Sequence, residues 1–387
     1  MKPAPSIKST RVIGAALTAA AMFLPSVKPV FADTAPENGI VAFKYLNYRD
    51  SEPGVDRMDI NAYSLRVMTP IAGKWAIDYT GTSDSVTGAS PHFHNHIPFD
   101  SVTGASRLKP DTRISNDLSV TRYFASGSVT GGFSYSNESD YISRGVSLQG
   151  SMSTPSKNTT FTIGGSVTRD SINPNNQPDY SDGKKVYTGL VGVTQVMSKN
   201  DIVQVNLSRS VGSGFFTDPY KTMDLRPRHR NYTTILTRWN HYFESTEGAI
   251  RLSYRYYTDT YQIKAHTFSA EYVQPLSHGF TLSPFARLYS QTEAYFYVPI
   301  GPDEILWPDS PTDPGSAVFY SEDQRLAAYG AVTLGIKVSK KFADTWLLDF
   351  RYDHYMQRGR WAISGKPDPN LAPFNANFIQ VGLSKQF

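Results

Sequence analysis

The chain has 387 residues, with 38 Lys and Arg against 34 Asp and Glu and no cysteine. A formal charge of +4 is small for that length and gives no ground for a nucleic-acid partner, and without cysteine no disulfide braces the fold. Hydrophobic residues make up only 40%, yet there are 24 Tyr, 21 Phe and 5 Trp, a balance that suits a barrel with lipid-facing apolar residues and aromatic girdles.

The N-terminus reads as an export signal. Lys2, Lys8 and Arg11 precede an apolar stretch from Val12 to Leu24, and Val30, Phe31 and Ala32 supply the cleavage geometry. The apolar stretch is too short for a spanning helix, which needs about 20 apolar residues. Residues 1–32 are therefore expected to be removed, leaving 33–387 as a single domain.

Beyond the signal, period-two alternation dominates. Trp75, Ile77 and Tyr79 alternate with Ala76, Asp78 and Thr80, and Val203, Val205 and Leu207 alternate with Gln204, Asn206 and Ser208. Segments of about 9–11 residues are long enough to cross a bilayer as tilted strands. Sixteen are predicted, centred near residues 44, 63, 78, 120, 133, 147, 164, 191, 205, 238, 253, 269, 285, 332, 350 and 381. Connections after even-numbered segments are short, as at 69–74, 125–128, 153–158, 198–201 and 244–248. Most of the others are long, at 84–113, 170–184, 211–231, 292–325 and 358–373. Short periplasmic turns opposite long outer loops mark an all-β, antiparallel, up-and-down transmembrane barrel of about sixteen strands, with fourteen to eighteen as the range. Its expected location is the outer membrane of a Gram-negative bacterium.

The last segment, FIQVGLSKQF, ends on Phe387 and resembles the terminal aromatic signal by which such barrels are recognised by the assembly machinery. Lys385 departs from that signal and is expected to snorkel at the interface.

DRM at 56–58, DSVTGASP at 84–91, YSEDQRLAAYGAVTLGIKV at 320–338 and YDHYMQRGRW at 352–361 resemble domain-of-unknown-function family 3570 (DUF3570). The resemblance covers nearly the whole mature chain. It implies a Gram-negative outer-membrane barrel, often encoded beside a flavin transferase, a small lipoprotein and thioredoxin-like proteins, and implies no established activity. A second DSVTGAS at 100–106, without the proline, is outside the family pattern.

The inward positions divide the wall. On the fourth to ninth segments they are neutral, among them Ser119, Thr121, Gln149, Thr162 and Asn206. On the tenth to fifteenth they are charged: Arg238, Arg251, Arg255, Glu271, Arg287, Lys337, Asp349, Arg351 and Asp353. This wall reads either as a lumen favouring anions or as a salt-bridge network bracing the barrel.

Three outer loops carry further candidates. In the first long loop each Asp-Ser-Val-Thr-Gly copy can open an Asx-turn, and His92, His94 and His96 fall on one face of an extended run as candidate ligands for a divalent metal. KTMDLRPRHRNY presents Lys221, Arg226, Arg228, His229 and Arg230 for the phosphates of lipopolysaccharide, or as a solvated loop. The loop from Thr292 to Arg325, with Glu293, Asp303, Glu304, Asp309, Asp313, Glu322 and Asp323, reads as an outer lid or an inward constriction. Catalytic motifs are missing, and His241 and His354 on otherwise apolar faces read as structural. The expected function is passage or export of a small solute without a cofactor. The alternative is a closed barrel that holds periplasmic or surface redox or metal-handling partners.

Overall fold

A computed structural model describes residues 34–88, 111–221, 224–299 and 319–387. The predicted signal peptide and the His92, His94 and His96 triplet lie outside the described residues. The wall strands are β1 (Ile40–Glu52), β2 (Val55–Ile71), β3 (Trp75–Gly88), β4 (Asp111–Phe124), β5 (Gly127–Asn137), β6 (Tyr141–Ser153), β7 (Thr159–Ile172), β8 (Asp182–Val196) and β9 (Asp201–Gly214). They continue with β11 (His229–Phe243), β12 (Gly248–Asp259), β13 (Lys264–Pro275), β14 (Phe280–Gln291), β16 (Tyr329–Phe342), β17 (Trp346–Arg358) and β18 (Phe374–Gln386). Two-residue strands β10 (Asp224–Leu225) and β15 (Tyr320–Ser321) pair with each other outside the wall.

Each wall strand pairs antiparallel with its neighbours, and β1 pairs with β18 to close the barrel at sixteen strands. All sixteen predicted segments are wall strands. They run longer than the alternation implied, up to the 17 residues of β2. At about 3.3 Å per residue that exceeds the hydrocarbon thickness even when tilted, so strand ends project beyond the bilayer. β3 shows the consequence. Asp84, expected to open a turn, is inside β3 and only 2% exposed. Arg113 on β4 donates to it through Nε (3.1 Å) and Nη2 (2.9 Å). A polar run is still strand when its inward positions find polar partners.

Alternation sorts the two faces. Outward side chains such as Val146, Leu148 and Ile163 are 58%, 62% and 67% exposed, as lipid contact requires. At the short-turn end, rings and cations form a girdle: Arg122 stacks on Trp75 (4.8 Å), Lys340 on Phe280 (4.1 Å) and Lys385 on Trp346 (5.3 Å). Lys385 does sit at the interface. The β2–β3 and β16–β17 turns place consecutive residues at positive φ, Ala72 (50°) with Gly73 (62°) and Ala343 (46°) with Asp344 (55°), the conformation of tight hairpins whose twist matches the strands.

At the seam Gly39 N–H donates to Phe387 O (2.8 Å) and Phe387 N–H to Gly39 O (3.1 Å). The Phe387 ring lies so close over Gly39 that a Cβ there would meet ring carbon at 2.4 Å. A side chain at position 39 would push that ring aside. Replacing Phe387 by Asp, or Gly39 by Val, is expected to lower the fraction of protein assembled in the membrane. Heat-modifiable migration on gels and membrane fractionation measure it; wild-type levels in both variants would remove any role for this contact.

Candidate functional site

The interior wall is the candidate site. β4 to β9 turn short neutral side chains inward, and hydroxyl pairs bridge them: Thr121 with Thr130 (2.9 Å), Ser128 with Ser151 (2.8 Å) and Thr188 with Ser210 (2.8 Å). Small hydroxyls satisfy one another across these strands, and the inward charges of this half stand toward the outer end, where Arg113 pairs with Asp84 and Lys184 with Asp170.

The other half carries the predicted charges, and part of them pair. Arg251 Nη1 donates to Glu271 Oε2 (3.1 Å), and Arg351 Nε donates to Asp353 Oδ2 (2.7 Å). Arg238 reaches only the amide oxygen of Gln204 (3.2 Å) and Arg287 only the hydroxyl of Ser269 (3.4 Å). Arg255 and Lys337 form no ion pair among the described residues. Asp349 Oδ1 and Arg351 Nη2 are buried without a hydrogen-bond partner.

Two inward residues were missed by the sequence reading. Lys44 on β1 has Asp349, Lys337, Arg66 and Arg351 as its charged neighbours, and Arg66 on β2 is held by Asp78, with Nε donating to Oδ1 at 3.0 Å. Arg287 in turn faces Arg351, Asp353 and Arg255. The cations thus form one belt from β2 across the seam to β12. The parity of Phe43 and Tyr45, outward on either side of Lys44, was the available signal. It was overlooked because β1 and β18 are neighbours only once the barrel closes.

Above the belt the inner wall is apolar. Tyr48, Met58, Ile60, Phe374 and Ala376 form a buried cluster near the outer ends of β1, β2 and β18, with Tyr355 and Phe378 packed against it.

The outer loops fold on one another. Asp323 is fully buried, accepting from Arg226 Nη2 (2.6 Å) and Arg325 Nε (2.7 Å), with Lys221 Nζ at 3.3 Å. Arg226 also donates to Asp224 and Arg325 to Asp218. Arg228 pairs with Asp182 and Arg230 with Asp259. Of the five basic residues at 221–232, read as facing lipopolysaccharide phosphates or solvent, only His229 is without a carboxylate among the described residues. Desolvating a cation costs several kcal/mol unless an anion accompanies it, and the buried Lys221 and Arg226 meet Asp323 of the second loop and Asp224 of their own. The described part of the acidic loop accordingly joins this outer lobe. A small core of Tyr261, Ile263, Ala294, Phe296 and Leu326 supports it.

Burial pushes the Glu322 carboxyl up to about 7, with Lys221 opposing. Burial would raise Asp323 too, but Arg325, Lys221 and Arg226 hold it well below the usual carboxylate range.

His241 Nδ1 lies 2.8 Å from Asp201 Oδ1 and His354 Nδ1 lies 2.8 Å from Asn377 Oδ1, both on the outward face. Each ring is anchored to a neighbouring strand. Among the described residues no group of three or more His, Cys, Asp or Glu is arranged to hold a metal.

A closed sixteen-strand wall with an apolar outer band and a polar interior defines a porin-like transmembrane β-barrel of the outer-membrane type. The family model described as Protein of unknown function (DUF3570) matches residues 14–378, and the chain belongs to that family. Among solved structures it is similar to a bacterial polysaccharide outer membrane secretin (8% identity, 90% of this chain and 98% of the other, TM-score 0.48). It is also similar to OccD3 (OpdP) of Pseudomonas aeruginosa (12%, 100% and 99%, 0.44) and to a BenF-like porin from Pseudomonas fluorescens Pf-5 (10%, 90% and 98%, 0.45). No curated protein matches the sequence. The barrel assignment itself rests on the chain's own closed pairing.

Asp323→Asn should loosen the outer lobe by about 3–5 kcal/mol, because it strands buried cations. Limited proteolysis of the loops would then be faster while the wall stays protected. Glu322 acts with the opposite sign. Its raised pKa means the folded lobe holds a proton that the unfolded chain releases, so stability falls as pH rises from the ordinary 4.5 through about 7. Hydrogen exchange of the lobe at pH 5 and pH 8 should show that slope, and Glu322→Gln should flatten it. A slope unchanged in the variant would assign it to another group.

Proposed function

We propose that the protein is an outer-membrane channel that passes or exports a small solute in a Gram-negative cell, with a preference for anions. It reaches that membrane by way of a cleaved N-terminal signal and the barrel-assembly machinery. The observation that carries the reading is the surplus of cations in the wall: among the described residues Lys44, Arg238, Arg255, Arg287 and Lys337 have no carboxylate in salt-bridge reach, while Arg66, Arg251 and Arg351 do. Sixteen strands is the size at which barrels leave an aqueous bore. A cation a few Å from a permeating ion matters by about a kcal/mol even in watery surroundings. The neutral hydroxyl wall opposite leaves the belt as the main electrostatic feature. The ion-paired residues Glu271, Arg351 and Asp353, with the carboxylate of Asp349 beside them, temper it and brace the wall.

A second reading, a closed barrel that serves as a scaffold for periplasmic lipoprotein or thioredoxin-like partners, is favoured by the apolar cluster around Tyr48 and Ile60, which fills part of the interior.

Reversal potentials across a salt gradient separate the two. The channel should pass chloride more readily than potassium, and Arg255→Gln with Arg287→Gln should lower that preference without closing the pore. High salt should blunt it, since the screening length falls to about 3 Å at 1 M. A bilayer that stays silent although inserted protein is demonstrated would favour the scaffold.

A further inference from the structure

The outward face of β6 to β9 carries a row of cations where the lipid band ends. Registered across the strands, Tyr135, Arg144, Arg169 and Lys185 stand side by side. The three cations are each three residues from the outer ends of their strands, and Tyr135 is two. Adjacent strands are about 4.8 Å apart, so three positive heads line a strip about 10 Å wide. Arg144 and Arg169 are exposed. None of the three has a carboxylate in salt-bridge reach among the described residues. Arg144 instead lies over Tyr135 (5.9 Å) and Lys185 over Tyr187 (4.4 Å), which hold the heads at the interface. Elsewhere on the outer half of the outward face Asn61 and Asn116 accept from tyrosines and Arg49 faces Asp59. The other cations there without a carboxylate among the described residues, Arg209, Lys264 and Arg358, stand singly on β9, β13 and β17 rather than on adjacent strands in one register.

Below the row the surface changes in a way that fits acyl chains. The next outward register is apolar, with Phe133, Val146, Val167 and Tyr187. The one after it runs Gly131, Leu148, Gly165, Gly189 and ends on Arg209. A Cβ built on Gly131 or Gly189 meets nothing within 4 Å, so the wall is recessed there on either side of the protruding Leu148.

We propose that this face is a binding site for a phosphorylated glycolipid of the outer leaflet. Its phosphates sit on Arg144, Arg169 and Lys185, and its acyl chains lie in the recesses beside Leu148. Guanidinium forks match phosphate oxygens in two-point contacts. The charge complementarity selects the occupant: a lipid without net negative charge would leave the three cations without a counter-charge. The site differs from the outer loops, whose cations are consumed by carboxylates, and it does not depend on whether the barrel conducts.

The test uses the full mature chain folded in detergent, with bisphosphorylated lipid A, monophosphorylated lipid A and inorganic phosphate as probes. A variant with Arg144→Gln, Arg169→Gln and Lys185→Gln should bind bisphosphorylated lipid A about ten-fold more weakly, at a modest contribution from each exposed pair. A control neutralising Lys74, Lys157 and Lys341 at the opposite end should bind as wild type. Arg169→Lys should recover part of the loss seen in Arg169→Gln. Monophosphorylated lipid A should bind less tightly than the bisphosphorylated form, and inorganic phosphate at matched concentration should not compete. Should the triple variant fail to fold, judged by heat-modifiable migration, the three single variants carry the test, each losing about two-fold. Equal binding by folded variant and wild type overturns the proposal. Competition by inorganic phosphate overturns it in favour of a simple anion site.

Discussion

The structure depends on one constraint: in hydrocarbon every backbone N–H and C=O must find a partner within the protein. Each group left unsatisfied costs several kcal/mol, so a sheet can cross lipid only if it has no edge. The twelve registered pairs between β1 and β18, from Ile40 with Gln386 to Ser51 with Asn375, remove that edge. Once the sheet closes, every wall residue faces either lipid or interior, and the parity of its position decides which.

That division explains where charge is allowed. Three environments receive it, and each handles desolvation differently. In the outer lobe Lys221, Arg226 and Arg325 are surrounded by Asp218, Asp224 and Asp323, because cations cut off from water need anions in contact. On the lipid face most cations stand near the ends of strands, where they stack on aromatic rings and reach the headgroups, and Arg209, farther in, donates to the Thr233 hydroxyl. On the inner wall Arg255 stays exposed with no ion pair in reach. An unpaired charge costs least where water reaches it, as at Arg255.

The interior is not uniform. Hydroxyls and glycines on β4 to β9 leave one half of the wall thin, whereas Tyr48, Ile60 and Phe374 thicken the other near its outer end. Any conducting path is therefore displaced toward the neutral half, with the cation belt bordering it from the opposite side.

What the sequence by itself determined was everything governed by period two. Side chains alternate across a strand regardless of what lies next to it. The sixteen strands, the outward faces of Trp75 or Leu207 and the inward faces of Arg238, Arg287 and Arg351 were therefore legible residue by residue. Lys385 at the interface followed from the same parity and its distance from the chain end. What only the tertiary structure decided were relations between segments far apart in the chain. Closure makes Lys44 a neighbour of Asp349 and Lys337. Asp84 belongs to β3 because Arg113 receives it, 29 residues on. Asp224 and Leu225 pair with Ser321 and Tyr320, which brings Lys221 and Arg226 of one loop against Asp323 of another. No local pattern encodes such pairings, since a charged residue in a loop has the same sequence signature whether water or a distant counter-ion satisfies it.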